Sequence, residues 1–127
     1  MAATGPLVLL DANALMSAVR LKIDLVAKVA ESAPGWKVAV PGSVLRELQR
    51  LGDTRGAREA RALAKRLPTI SNEGRSDDAI VETALAGPRR AVMTNDQALR
   101  RRLRGSGVTV LFIRGKQKVD VDGSLPK

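Results

Sequence analysis

The chain contains neither cysteine nor histidine. Without cysteine there is no disulfide framework and no thiolate zinc site, and a reducing compartment is the natural setting. Without histidine, Ser-His-Asp and Cys-His catalysis, imidazole acid–base chemistry and His-ligated zinc are excluded. Hard oxygen ligands are what remain for a metal. Aromatics are limited to Trp36 and Phe112, too few for the interleaved platform on which RRM- or OB-type modules stack bases. The first apolar run, Leu7-Val8-Leu9-Leu10, is stopped by Asp11, and the stretch before it carries no basic side chain. Neither secretion nor membrane spanning is therefore expected, and the expected compartment is the cytoplasm.

Positive charge is abundant. Twenty-two Lys and Arg against 13 Asp and Glu give a net charge of +9, which favours a polyanionic partner, with nucleic acid first among them. With so few aromatics, recognition should lean on phosphates and shape. At 127 residues the chain has room for one substantial core and not two.

Apolar runs at 7–10, 37–40, 69–71, 91–94 and 108–113 alternate with helix-period segments near 14–32, 43–51, 55–67, 77–86 and 96–104. Strand runs that are almost wholly apolar fit strands covered on both faces, so the expected class is α/β, with a parallel sheet and helices on both sides. Pro34-Gly35, Pro41-Gly42, Gly52-Asp53, Gly87-Pro88 and Gly105-Ser106-Gly107 mark the turns. Residues 1–115 are expected to form the domain, with 116–127 its C-terminal edge strand or tail. No internal repeat is visible.

Four acids stand where an apolar residue is expected. Asp11 ends a buried strand. Glu47 lies on the Val44, Leu48, Leu51 stripe, Asp77 continues the Ile80, Ala84 stripe with Asp78 one step round, and Asp96 precedes Leu99 by three and Leu103 by seven. Each has an ordinary reading: Asp77 and Asp96 as helix caps, Glu47 as a partner of Arg46 or Arg50, Asp11 as the start of an Asx turn near Asn13. Their common location is what carries weight, because each falls near the carboxyl end of a predicted strand, the edge where open α/β sheets bind ligands. Partly buried carboxylates that share one edge must be paired or metal-bound, and oxygen-only ligands suit Mg²⁺ or Mn²⁺. Two basic stripes offer phosphate tracks: Arg100, Arg101, Arg102 and Arg104 on the helix after Asp96, and Arg55, Arg58, Arg61 and Lys65 on an earlier one. Each stripe also reads as a solvated helix face.

The segments LVLLDANALM, VPGSVLREL, SDDAIVETA and AVMTNDQALRRRLRGSGVTVLFIRG resemble, in order, the motifs of PIN-domain ribonucleases. The chain is most similar to the small archaeal PIN proteins of the ribosomal RNA processing type, and more distantly to VapC toxins. The resemblance implies a single PIN-like domain with a five-stranded parallel sheet, metal-dependent cleavage of RNA phosphodiesters, and frequent homodimerisation. It places the family's acidic site on Asp11, Glu47, Asp77 or Asp78, and Asp96, with Asn13, Thr94 or Asn95 as auxiliary ligands or orienters. Asp11 and Asp96 would be core metal ligands, Asp77 the third, and Glu47 a ligand through water or the group that orients the nucleophile. Three roles stay open: an RNA-processing enzyme, a toxin with an antitoxin partner, and a non-catalytic RNA-binding or ribosome-assembly module. A haloacid dehalogenase would need a second Asp where Asn13 stands, and its Asp pair after its Thr motif. A receiver domain would pair acids after the first strand and place a lysine after the last.

Overall fold

The computed structural model describes residues 5–125; the first four residues of the leader reading and the last two of the expected tail lie outside them. The elements run β1 (Leu7–Leu10), α1 (Ala12–Leu21), α2 (Leu25–Ser32), β2 (Lys37–Pro41), α3 (Gly42–Arg50), α4 (Ala57–Lys65), β3 (Thr69–Ile70), α5 (Ser76–Leu85), β4 (Arg90–Met93), α6 (Gln97–Gly105), β5 (Val110–Arg114) and β6 (Lys118–Asp122). The strands form one sheet in the order β3-β2-β1-β4-β5-β6. The first five are parallel and β6 is antiparallel to β5.

Every residue of β1 is buried, as are Ala91, Val92 and Met93 of β4, which is why these strands read as unbroken apolar runs. Leu15, Leu48, Ile80, Leu99 and Leu103 reach this core from α1, α3, α5 and α6. From β1 the chain moves outward through β2 to β3, then returns to lay β4 on the other side of β1. The order thus reverses between β1 and β4, and at such a switch point the two connections leave in opposite directions and open a crevice beyond the strand ends. Asp11 follows β1 directly and Asp96 lies three residues beyond the end of β4.

Two expectations are corrected. The parallel five-stranded sheet gains a sixth, antiparallel strand, residues 118–122, which is the edge-strand alternative expected for the C-terminal segment. Val119 and Val121 of β6 pack on the core, while Asp120 and Asp122 meet arginines. Ser32 Oγ donates to the Val119 carbonyl at 3.0 Å, occupying part of the edge. The helical segment at 14–32 is two helices. Lys22 adopts a left-handed conformation (φ 55°) that ends α1, and Asp24 caps α2 by accepting from Ala27 N at 3.2 Å. A lysine in that region is unusual, and the new start has a cap worth about 1 kcal/mol.

Candidate active site at the carboxyl edge of the sheet

Asp11 continues the β1–β4 ladder with its own backbone, its N–H donating to the Met93 carbonyl at 3.1 Å. That bond fixes the carboxylate against β4 with only 7% of the residue exposed. Oδ1 accepts from Ala12 N at 2.9 Å, and Oδ2 accepts from the fully buried Thr94 hydroxyl at 2.8 Å. The same Thr94 oxygen accepts from Asp96 N at 3.1 Å, so one hydroxyl ties the acid after β1 to the acid before α6. Burial pushes the Asp11 pKa up to about 6, against the two hydrogen bonds that favour the anion, and the charges of Glu47 and Asp77 push it further in the same direction.

Asp77 lies in the first turn of α5, half-buried, its pKa raised by burial and then by Asp96, with Asp78 adding to the rise and Arg102 opposing it. Glu47, Asp11, Asp77 and Asp96 thus form a continuous chain of mutually repelling carboxylates. Asp78 faces elsewhere, with its side chain 76% exposed and bound to Arg102 at 2.6 Å. Asp96 keeps part of its ordinary role, since Oδ1 caps α6 by accepting from Leu99 N at 3.0 Å. Among the described residues no three acids stand close enough together to hold a metal ion between them. The donor chemistry nevertheless suits a hard divalent cation: all are oxygens, and the burial and neighbouring negative charge that raise Asp11 and Asp77 are what a bound cation would offset. Mg²⁺ in particular keeps several waters and takes few carboxylates.

The auxiliary candidates other than Thr94 are engaged in scaffolding. Asn13 Oδ1 accepts from Asn95 N at 3.0 Å, and the Asn95 side chain bonds both Ile113 N and Ile113 O, at 2.8 and 2.9 Å. These contacts lock the β1–α1, β4–α6 and β5 ends together. Five of the eight cations expected on RNA have protein partners: Arg100 and Arg104 on Asp122, Arg102 on Asp78, Arg58 on Asp53, and Arg61 on the Leu48 carbonyl. Arg101, Arg55 and Lys65 are exposed.

Sequence reasoning passed over the neighbouring loop. Asn72 Oδ1 accepts from Ser43 N at 2.7 Å, while its Nδ2 donates to Ser43 Oγ at 2.8 Å and to Thr83 Oγ1 at 2.9 Å, joining the start of α3 to the last turn of α5. Thr83, a polar residue on the apolar face of α5, was the available signal. Arg46 secures the same loop from outside, donating to the carbonyls of Asn72 at 3.0 Å and Gly74 at 3.2 Å. Between α3 and this loop lies a groove of about 400 Å³ lined by Arg46, Glu47, Arg50, Arg75 and Ser76 among others.

Comparison with known proteins bears on this edge as a whole. No curated protein matches the chain in sequence. Among solved structures, that of the PIN domain endonuclease Utp24 superposes with a TM-score of 0.82 at 25% identity, over 94% of this chain and 92% of the other. The PIN-like domain, as a sequence family, matches residues 8–116. That span runs from β1 through the turn after β5 and takes in every acid of the cluster, so the chain belongs to the PIN-like domain family.

Proposed function

We propose that this protein is a cytoplasmic, divalent-cation-dependent endoribonuclease that hydrolyses RNA phosphodiester bonds in RNA processing. The observation that carries the reading is the gathering of Glu47, Asp11, Asp77 and Asp96 at the carboxyl edge of the sheet, with Asp11 buried and without an ion-pair partner. A stability-driven sequence would pair or remove such charges, and sites that keep them are functional candidates. Membership of the PIN-like domain family and the likeness to the PIN domain endonuclease Utp24 support the same reading.

Bound Mg²⁺ or Mn²⁺ would activate water and stabilise charge developing on the scissile phosphate. Asp11, Asp77 and Asp96 would hold the cation, and Glu47, on the groove side, would orient the attacking water. Thr94 keeps Asp11 ionised and aimed by donating to Oδ2. Asp78, tied to Arg102, contributes charge at longer range and no direct contact. No helix among the described residues is long and apolar enough to cross a membrane.

The test is cleavage of a circular single-stranded RNA by the purified protein. Linear product with Mg²⁺ or Mn²⁺, and none in EDTA, is the expected result. Undiminished cleavage in chelator would overturn the metal-dependent mechanism, and cleavage of linear but not circular RNA would overturn the endonuclease assignment.

A further inference from the structure

The arginines of this protein fall into two groups that the sequence does not separate. Three of the four on α6 face acids or an aromatic ring: Arg100 meets Asp122 at 2.8 Å and lies 3.9 Å from the centroid of Phe112, Arg104 meets Asp122 at 3.2 Å, and Arg102 meets Asp78, while Arg101 is exposed. A phosphate approaching those three must compete with a carboxylate already in place. In the groove between α3 and the 72–76 loop the balance is reversed. Arg50 and Arg75 line it, both exposed and neither with an ion-pair or hydrogen-bond partner among the described side chains, and Glu47 is the acid that lines it with them.

The walls of this groove are held in place before any ligand arrives. Asn72 bonds Ser43 and Thr83, Arg46 bridges two loop carbonyls, and Gly74 supplies the positive φ of 88° that turns the chain toward Ser76. A volume of about 400 Å³ lies within the ~300–1,000 Å³ of ligand clefts. Glu47 lines the groove, and so does Ser76, the chain neighbour of Asp77, so the groove adjoins the acid cluster at these two points.

We infer that the backbone of single-stranded RNA runs through this groove, with Arg50 and Arg75 holding the phosphates next to the one that is cut; this rests on the ribonuclease reading of the acid edge. Arg50 and Arg75 have no protein partner to give up, whereas Arg100, Arg102 and Arg104 of α6 would first have to leave theirs. Neither cation is placed to read base edges, so binding is expected to be independent of sequence.

The test is RNA binding in EDTA by protein carrying Asp11→Asn, with a labelled single-stranded oligoribonucleotide at several salt concentrations. Adding Arg50→Gln and Arg75→Gln together should lower the slope of log affinity against log salt by about 1.4, about 0.7 for each phosphate contact on a single strand. Lysine at both positions should restore it, because a point charge is enough for a phosphate. A charge-matched control, Arg20→Gln with Lys37→Gln, should leave the slope unchanged. Neither groove arginine makes a contact to lose, so thermal melts should coincide with the parent. In the cleaving enzyme the groove pair should raise KM more than it lowers kcat. An unchanged slope in the groove pair, while the parent binds RNA, would overturn the groove and leave the ribonuclease reading intact. A slope that falls instead with Arg101→Gln would move the strand to α6. A parent that binds no RNA would overturn both.

Discussion

Asp11 and Asp122 are both aspartates at the end of a strand, both held by side chains from elsewhere in the fold, and the protein treats them in opposite ways. Asp122, closing β6, receives Arg100 at 2.8 Å and Arg104 at 3.2 Å, and hydrogen bonding to Arg100 draws its pKa below the usual carboxylate range. Asp11, after β1, is buried beside further acids, and its pKa is pushed up to about 6. Neutralisation at the β6 end holds the edge strand to α6. At the β1 end the negative charge is kept without an ion-pair partner, which costs stability and accords with the proposed role of Asp11 in holding a cation. The contrast separates charge used for folding from charge held for chemistry.

Removing the Asp11 charge should have the largest effect. Asp11→Asn keeps an acceptor for Ala12 N and a group that pairs with Thr94, so the local bonds survive; the carboxylate does not, and cleavage should be lost. Stability should move the other way. The folded pKa of about 6 lies above the ordinary 3.8, so between these values the native state binds more protons than the unfolded chain. The wild-type protein therefore loses stability as pH rises from about 4 to about 6, and the whole penalty persists at neutral pH. The difference corresponds to at most about 3 kcal/mol. The advantage of Asp11→Asn in chelator should be near zero below pH 4 and largest at pH 7, and Mn²⁺ should raise the Tm of wild type but not of the variant. Melts at pH 4 and pH 7 check this, and a variant less stable at both would return Asp11 to the role of a turn residue.

Thr94→Val comes next. The hydroxyl serves Asp11 as donor and Asp96 N as acceptor, so valine leaves a part-buried N–H without its acceptor. That should cost about 1–3 kcal/mol. Because the Thr94 hydrogen bond lowers the Asp11 pKa, its loss should shift the acidic limb of the pH–rate profile to higher pH. Thr94→Ser should restore the limb. A stability loss with no shift of the limb would make Thr94 a packing residue alone.

How much of this was legible in the sequence follows from which forces are local. β1 and β4 were readable because a strand covered on both faces admits no polar residue until it ends, and Asp11 stands out for that reason. Helical phase favours Asp77 over Asp78 as the inward-facing acid, and in the structure Asp78 is exposed and pairs with Arg102. The strand β6 was only half legible: its Lys-Val-Asp-Val-Asp alternation has polar residues because one side meets arginines, and a period-two pattern five residues long competes with a solvated tail. The break between α1 and α2 was signalled by Asp24 as a cap, but the apolar period continues across it. The fate of the arginines was not legible, since Arg100 and Asp122 are 22 residues apart and nothing local says that they meet. The Asn72 hub was hidden for the same reason, joining Ser43 across 29 residues.

The smallest effect is expected at the neutralised end. Arg100→Ala removes the guanidinium stacked 3.9 Å from the Phe112 centroid, an interaction worth about 0.5–1 kcal/mol at a partly exposed site. Its ion pair with Asp122 adds little, because Arg104 remains on the same carboxylate and solvent screens the pair. The Tm should fall by a few degrees at most, and hydrogen exchange should quicken first in β6, the element this cluster ties down. Turnover per folded molecule should be unchanged, because the Arg100 side chain meets Asp122 and Phe112, and its helical backbone bond to the Asp96 carbonyl survives in alanine. Cleavage measured well below the melting range, alongside exchange at the amides of residues 118–122, separates the outcomes. Lost turnover with β6 protection intact would mean that the α6 face serves the substrate after all, and the division between folding charge and chemical charge would then have to be drawn inside a single helix.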